Sequence, residues 1–128
     1  MDTPLPQPRS ILRLKRPGDF RRIYDVGNKS VGRCMILWVA PSTGPIPKIG
    51  VVASKRSIGN AVQRNRAKRR LREVTRLLAD LLPAGVDVVL VSRATVLTIP
   101  WDDLLTDFTR CTARFDPAEY ATPSSNPS

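Results

Sequence analysis

The sequence predicts an α/β domain, and three observations carry that prediction. First, Lys48 to Ser54 (KIGVVAS) and Val86 to Ser92 (VDVVLVS) are apolar and rich in β-branched residues, the composition of strands. Second, the stretch between them repeats apolar residues at Ala67, Leu71, Val74, Leu78 and Leu81, intervals of four, three, four and three that make one stripe on a helix. Strand, long helix and strand form a β-α-β unit, so the two strands should run parallel. Third, 128 residues with 41% hydrophobic content suffice for one core and suit one domain.

Met1 to Ser10 (MDTPLPQPRS) contains three prolines and reads as a flexible lead-in without the charged-then-apolar pattern of a secretion signal. The domain is expected over residues 11–115, opening with Ile11 to Arg16 as a short extended segment lying on it. Pro17 suits a first helical turn, Asp19 complements the positive helix end and Gly27 can close the helix, which predicts a helix from Pro17 to Val26. Phe20, Ile23 and Tyr24 share its face; Ile23 reads as core. Phe20 and Tyr24, beside Arg21 and Arg22, read equally as core or as platforms for unstacked bases.

Val31 to Ala40 (VGRCMILWVA) reads as a strand, with Cys34, Ile36 and Trp38 on one face and Arg33, Met35, Leu37 and Val39 on the other. The break at residues 41–45 (PSTGP) makes a hairpin with Lys48 to Ser54 the simplest pairing. Lys55 to Asn60 reads as a basic loop in which Asn60 caps the long helix, and its free amides make a plausible phosphate cradle. The helix should stop near Leu82, since Pro83 and Gly85 follow. Pro100 starts a last helix with an apolar stripe of Trp101, Leu104, Leu105, Phe108 and Cys111 and an outer face charged by Asp102, Asp103 and Asp107. Residues 116–128 (DPAEYATPSSNPS) read as a disordered tail.

Charge is distributed very unevenly along this chain. Lys55 to Arg76 holds nine Lys and Arg residues against the single acid Glu73, a net of +8 out of +10 for the whole chain. On a 100° wheel Asn65, Arg69, Arg72 and Arg76 oppose the leucine stripe, with Lys68 on one flank and Arg66 and Glu73 on the other. The pairs Arg66/Arg70 and Arg72/Arg76 are like charges at i,i+4, each unfavourable by a few tenths of a kcal/mol, and a polyanion would relieve that repulsion. From Leu77 onward the net is −4, so the back of the domain should be acidic and nucleic acid confined to one side.

The residue inventory narrows the chemistry. There is no histidine, no C-x-x-C pair and no G-x-x-x-x-G-K-[ST] loop, which leaves no zinc, disulfide or P-loop signature; Cys34 and Cys111 read as buried reduced thiols. Metal-dependent phosphodiester cleavage needs clustered carboxylates, and Asp102, Asp103 and Asp107 are on the part read as remote from the arginines. No run is long enough to cross a bilayer, so the protein is expected in the cytoplasm with no membrane partner. Taken alone, the arginine helix says that the chain binds nucleic acid. It leaves a ribosomal or other structural RNA-binding protein, a DNA-binding helix, a subunit of an RNA enzyme and an autonomous nuclease all open.

The run Arg64-Asn65-Arg66-Ala67-Lys68-Arg69-Arg70-Leu71-Arg72-Glu73 resembles the R-N-R-x-K-R-x-x-R-E signature of the protein component of bacterial ribonuclease P. Gly59-Asn60-Ala61-Val62, Ser54-Lys55-Arg56, Ile49-Gly50-Val51-Val52 and Asp19-Phe20-Arg21-Arg22-Ile23-Tyr24 match the same family in type and order, covering about Arg13 to Arg114. The resemblance implies an α+β sandwich with an αβββαβα order, a two-layer fold like that of ribosomal protein S5, with a left-handed βαβ crossover against the usual right-handed rule. It implies the small subunit of an endoribonuclease holoenzyme that removes the 5′ leader of precursor tRNA, with magnesium and the hydrolysis held by the catalytic RNA, no catalytic residue in the protein, and no obligate protein partner. Carried over to this chain, Lys55, Arg56, Arg64, Asn65, Arg66, Lys68, Arg69 and Arg72 would engage the catalytic RNA. Phe20, Tyr24, Ile36 and Trp38 would line the cleft for the leader.

Overall fold

The computed structural model describes residues 12–44 and 46–116. The expected N-terminal lead, and the C-terminal tail beyond Asp116, lie outside the described residues. In chain order the elements are β1 (Leu12–Arg13), α1 (Pro17–Val26), β2 (Asn28–Val31), β3 (Met35–Pro41), β4 (Lys48–Val52), α2 (Lys55–Ile58), α3 (Ala61–Leu78), β5 (Val86–Ser92) and α4 (Trp101–Ala113), with 3-10 turns at Ala79–Leu81 and Ala94–Leu97. Apart from the short β1 and α2, this is the αβββαβα order.

One five-stranded sheet runs β1-β4-β5-β3-β2. β4 and β5 are parallel, with Gly50 beside Val89 and Val52 beside Val91, as a long helical crossover requires. The hairpin expected between β3 and β4 does not form. β5 lies between them, antiparallel to β3 from Met35↔Ser92 to Pro41↔Val86. The reason is burial: Val86 to Leu90 are all buried, so this strand occupies the centre, where both of its edges are paired. The hairpin that does form is β2–β3, closed by the Gly32 N–H donating to Met35 O at 2.8 Å. Residues 28–31 (NKSV) were invisible as a strand because only Ser30 is buried and the segment has no apolar alternation.

α3 and α4 cover one face of the sheet, where their Leu71, Val74, Leu104 and Phe108 share a core with Met35, Leu37, Val39, Val88 and Leu90. α1 lies on the other face, where Ile23 packs with Leu14, Ala40 and Val89. α1 has the bounds that its proline and glycine predict, but Gly27 acts by close approach: a Cβ there would stand 2.3 Å from Ile23 O, while its φ of −81° is ordinary. α1 is fastened by Arg22, whose guanidinium pairs with the fully buried Asp87 and donates to Pro41 O at 2.9 Å. Asp87 also accepts from the Lys48 N–H at 2.9 Å, so one carboxylate ties α1, β4 and β5 together.

Three further expectations are corrected. Cys34 precedes β3 and is buried against α4 instead of sharing the face of Ile36 and Trp38. Asp107 is not on an outer face: it is buried and accepts from the backbone N–H groups of Arg33 at 2.9 Å and Cys34 at 3.0 Å and from the Cys34 thiol at 3.1 Å. α3 ends at Leu78 and tightens into a 3-10 turn, which swings Leu81 out to 44% exposure and removes it from the stripe.

Candidate nucleic-acid interface

Two surfaces carry the functional candidates, one on each side of the sheet. The first is α3. Asn60 caps it, its Oδ1 accepting from the Gln63 N–H at 2.9 Å, and Ala67, Leu71, Val74 and Thr75 bury the inner side. Asn65, Arg69, Arg72, Glu73 and Arg76 line one shallow outward depression. Arg66 is exposed, and Arg64 and Lys68 are half-buried. Glu73, the one acid among the described residues that line the depression, is already engaged: Arg76 donates to it at 2.6 Å, and that hydrogen bond holds the Glu73 carboxyl below the usual carboxylate range. Among the described residues, Arg69 and Arg72 have no ion-pair partner.

Not every charge of the basic stretch points outward. Arg70 turns towards α4, donating to Val96 O at 2.7 Å and Ile99 O at 2.8 Å, with its guanidinium 6.0 Å from the Trp101 ring centroid. The repulsion expected at Arg66/Arg70 and Arg72/Arg76 is therefore partly relieved inside the protein, by these carbonyls and by Glu73. Lys55 and Arg56 are exposed, but the segment expected to be a loop is the four-residue α2, pinned by the buried Ile58. Gly59, at φ +101°, makes the turn into α3.

The second surface is the α1 face of the sheet. Gly50 leaves room for a ring: a Cβ there would stand 2.7 Å from Phe20 Cε1. Tyr24 meets Trp38 edge-to-face at 5.2 Å between centroids. Partial burial raises the pKa of the Tyr24 phenol above its usual value. Phe20 and Tyr24 line an open hollow with Lys15, Pro17 and Val52. Ile36 sits on the same sheet face two residues from Trp38, beside Val91, which in turn neighbours Val52. All four predicted cleft residues are thus half-buried or exposed on one face.

Sequence reading missed Val52, Val91 and Lys29 on this surface. Lys29 is the cross-strand neighbour of Trp38, with its ammonium 5.6 Å from the ring centroid. Only the β2–β3 register, which the sequence did not reveal, could have pointed to it.

The acidic back is weaker than the composition suggests. Asp87 and Asp107 are buried and partnered, leaving Asp80, Asp102, Asp103 and Asp116 exposed beyond Leu77 among the described residues. Arg93 and Arg114 are spent on the β2–β3 turn, donating to Gly32 O at 2.7 Å and Val31 O at 2.6 Å. No helix among the described residues is long and apolar enough to cross a membrane.

Comparison with known proteins places the whole described domain beside a single family. The chain is 43% identical over 102 residues to the "Ribonuclease P protein component" of Chloroflexus aurantiacus, covering 79% of this chain and 75% of that protein. It is 40% identical over 92 residues to the protein of the same name from Herpetosiphon aurantiacus, covering 72% and 74%. The fold matches the ribonuclease P protein of Thermotoga maritima with a TM-score of 0.71 at 21% identity, over 81% of this chain and 97% of that one. It also matches the Staphylococcus aureus protein with a TM-score of 0.68 at 24% identity, over 79% and 92%. The sequence profile described as Ribonuclease P matches residues 9–116, and with relatives at this identity the chain belongs to the family of bacterial ribonuclease P protein components.

Proposed function

We propose that this family member works as the cationic subunit of ribonuclease P, an endoribonuclease that matures the 5′ end of tRNA, and that the cutting itself is done by an RNA partner. The observation that carries the reading is the outward face of α3, where Asn65, Arg69 and Arg72 stand side by side and the one acid is paired with Arg76. Arginine forks bind phosphate bidentately, and each phosphate neutralised releases counterions. Lys55, Arg56, Arg64, Arg66 and Lys68 extend that surface towards the catalytic RNA. The hollow of Phe20 and Tyr24, with Ile36 and Trp38 beside it, suits the single-stranded leader. Stacking contributes about 1 to 3 kcal/mol per base and tolerates any sequence, which leaders of varied sequence require.

Magnesium is needed in this reading, supplied with the RNA partner. Among the described residues no three His, Cys, Asp or Glu side chains gather to hold a metal ion, and Asp107 is consumed by backbone amides.

Sequencing the RNA that co-purifies with tagged protein tests the partner: one abundant ribonuclease P RNA supports the reading, and ribosomal RNA overturns it. In the reconstituted holoenzyme, Phe20→Ala or Trp38→Ala should weaken precursor tRNA about tenfold or more while leaving mature tRNA nearly unchanged, the scale of one stacked base. Equal weakening of both substrates would remove these rings from the leader cleft.

A further inference from the structure

The α3 face and the aromatic hollow lie on opposite faces of the sheet, and a groove at the outer edge of β4 joins them. It holds about 330 Å³, near the lower end of the roughly 300–1,000 Å³ typical of small-ligand sites. Its apolar wall is Leu12, Leu14, Phe20, Ile49 and Val51, and its rim carries Arg13, Arg72 and Arg76. β1 pairs only with Lys48 and Ile49, so the strand edge beyond Ile49 borders the groove without a β1 partner.

The charge on the rim is unbalanced. Arg76 has Glu73, but among the described residues Arg13 and Arg72 have neither an ion pair nor a side-chain hydrogen bond. Burial, and then the Arg13 charge, hold the Arg72 guanidinium below its usual range, as expected where two cations face each other across a groove. An anion between them would relieve that repulsion. Phe20 supplies continuity, because its ring lines both this groove and the hollow shared with Tyr24.

We propose that the β1/α3 groove is a second nucleotide subsite for the precursor leader: an unstacked base lies against Leu12, Leu14 and Phe20, and its phosphate sits between Arg13 and Arg72. The proposal rests on the leader reading of the aromatic hollow and extends it around the sheet edge. Arg13, outside the basic stretch, becomes a leader-binding residue.

The test uses the reconstituted holoenzyme and precursor tRNAs whose leaders are lengthened one nucleotide at a time. With the unsubstituted protein, affinity should rise in two stages, the second as the strand passes Phe20. Arg13→Gln should remove the second stage, a loss of about three- to tenfold confined to the longer leaders, and Arg13→Glu should remove more. Arg13 is exposed at the end of a two-residue strand, so the urea midpoint should not move. A loss equal at all leader lengths, accompanied by weaker assembly with the catalytic RNA, would give the groove to that RNA and overturn the proposal. An Arg13→Gln protein that follows leader length as the unsubstituted one does would also overturn it, while the hollow stands. If leader length never matters, even before substitution, the hollow and the groove fall together.

Discussion

At the residue scale, two buried carboxylates hold the elements that carry the two candidate surfaces. Asp87 has no exposure, and its partner Arg22 is three-quarters buried, so Arg22→Met strands a charge in the sheet. Removing one partner of a buried pair costs roughly 3–5 kcal/mol, and with Arg22 partly solvated we expect about 3, seen as a lower urea midpoint. Asp107 acts through pH. Burial alone would raise its pKa, but the N–H groups of Arg33 and Cys34 and the Cys34 thiol outweigh burial and leave the carboxyl below its ordinary value. A folded pKa below the unfolded one means that its stabilisation is complete above the unfolded value, near pH 4, and fades as pH falls through the folded value. Urea midpoints measured between pH 7 and pH 3 should drop towards acid, and Asp107→Asn should flatten that drop while lowering the midpoint at pH 7. Both carboxylates were visible as letters. Their partners, 65 and 73–74 residues away, were not.

At the element scale, α3 divides its cations into two jobs. Arg70→Gln should lower stability by about 2 kcal/mol, because it removes charged donors to two carbonyls, and should leave the salt dependence of RNA binding nearly intact. Arg69→Gln should do the opposite: an unchanged urea midpoint, and a slope of log affinity against log salt reduced by roughly 0.7 to 0.9 for each phosphate no longer neutralised. Titrating both variants against the catalytic RNA at several salt concentrations separates the jobs. The helical wheel placed Asn65, Arg69, Arg72 and Arg76 together, since a 3.6-residue period is a local property. It could not tell Arg70 from its neighbours, because what Arg70 meets is the turn before α4.

At the scale of the whole molecule, the sheet is a partition with the arginine face on one side and the aromatic hollow on the other. At Gly50 the Phe20 ring occupies the space that a Cβ would need. Gly50→Ala should displace that ring. It should lower stability by about 1 to 3 kcal/mol and reduce precursor over mature preference, with assembly onto the catalytic RNA unaffected. Unfolding by urea and paired substrate titrations of the holoenzyme check the two halves of that expectation.

Local order was legible in the letters of this chain. Proline and glycine bracketed α1, Asn60 capped α3, β-branched runs marked β3, β4 and β5, and charge density marked α3 as the cationic helix; each signal is generated by neighbours a few positions apart. The family signature is also a local string, so membership could be read before any fold was seen. Strand order, the β2 hairpin, the burial of Asp87 and Asp107, the inward turn of Arg70 and the groove between β1 and α3 were settled only by tertiary packing. A sheet is paired through contacts across tens of residues, and competition for the central, doubly covered position is won by the most buried strand. That outcome depends on all the strands at once and has no short-range signature.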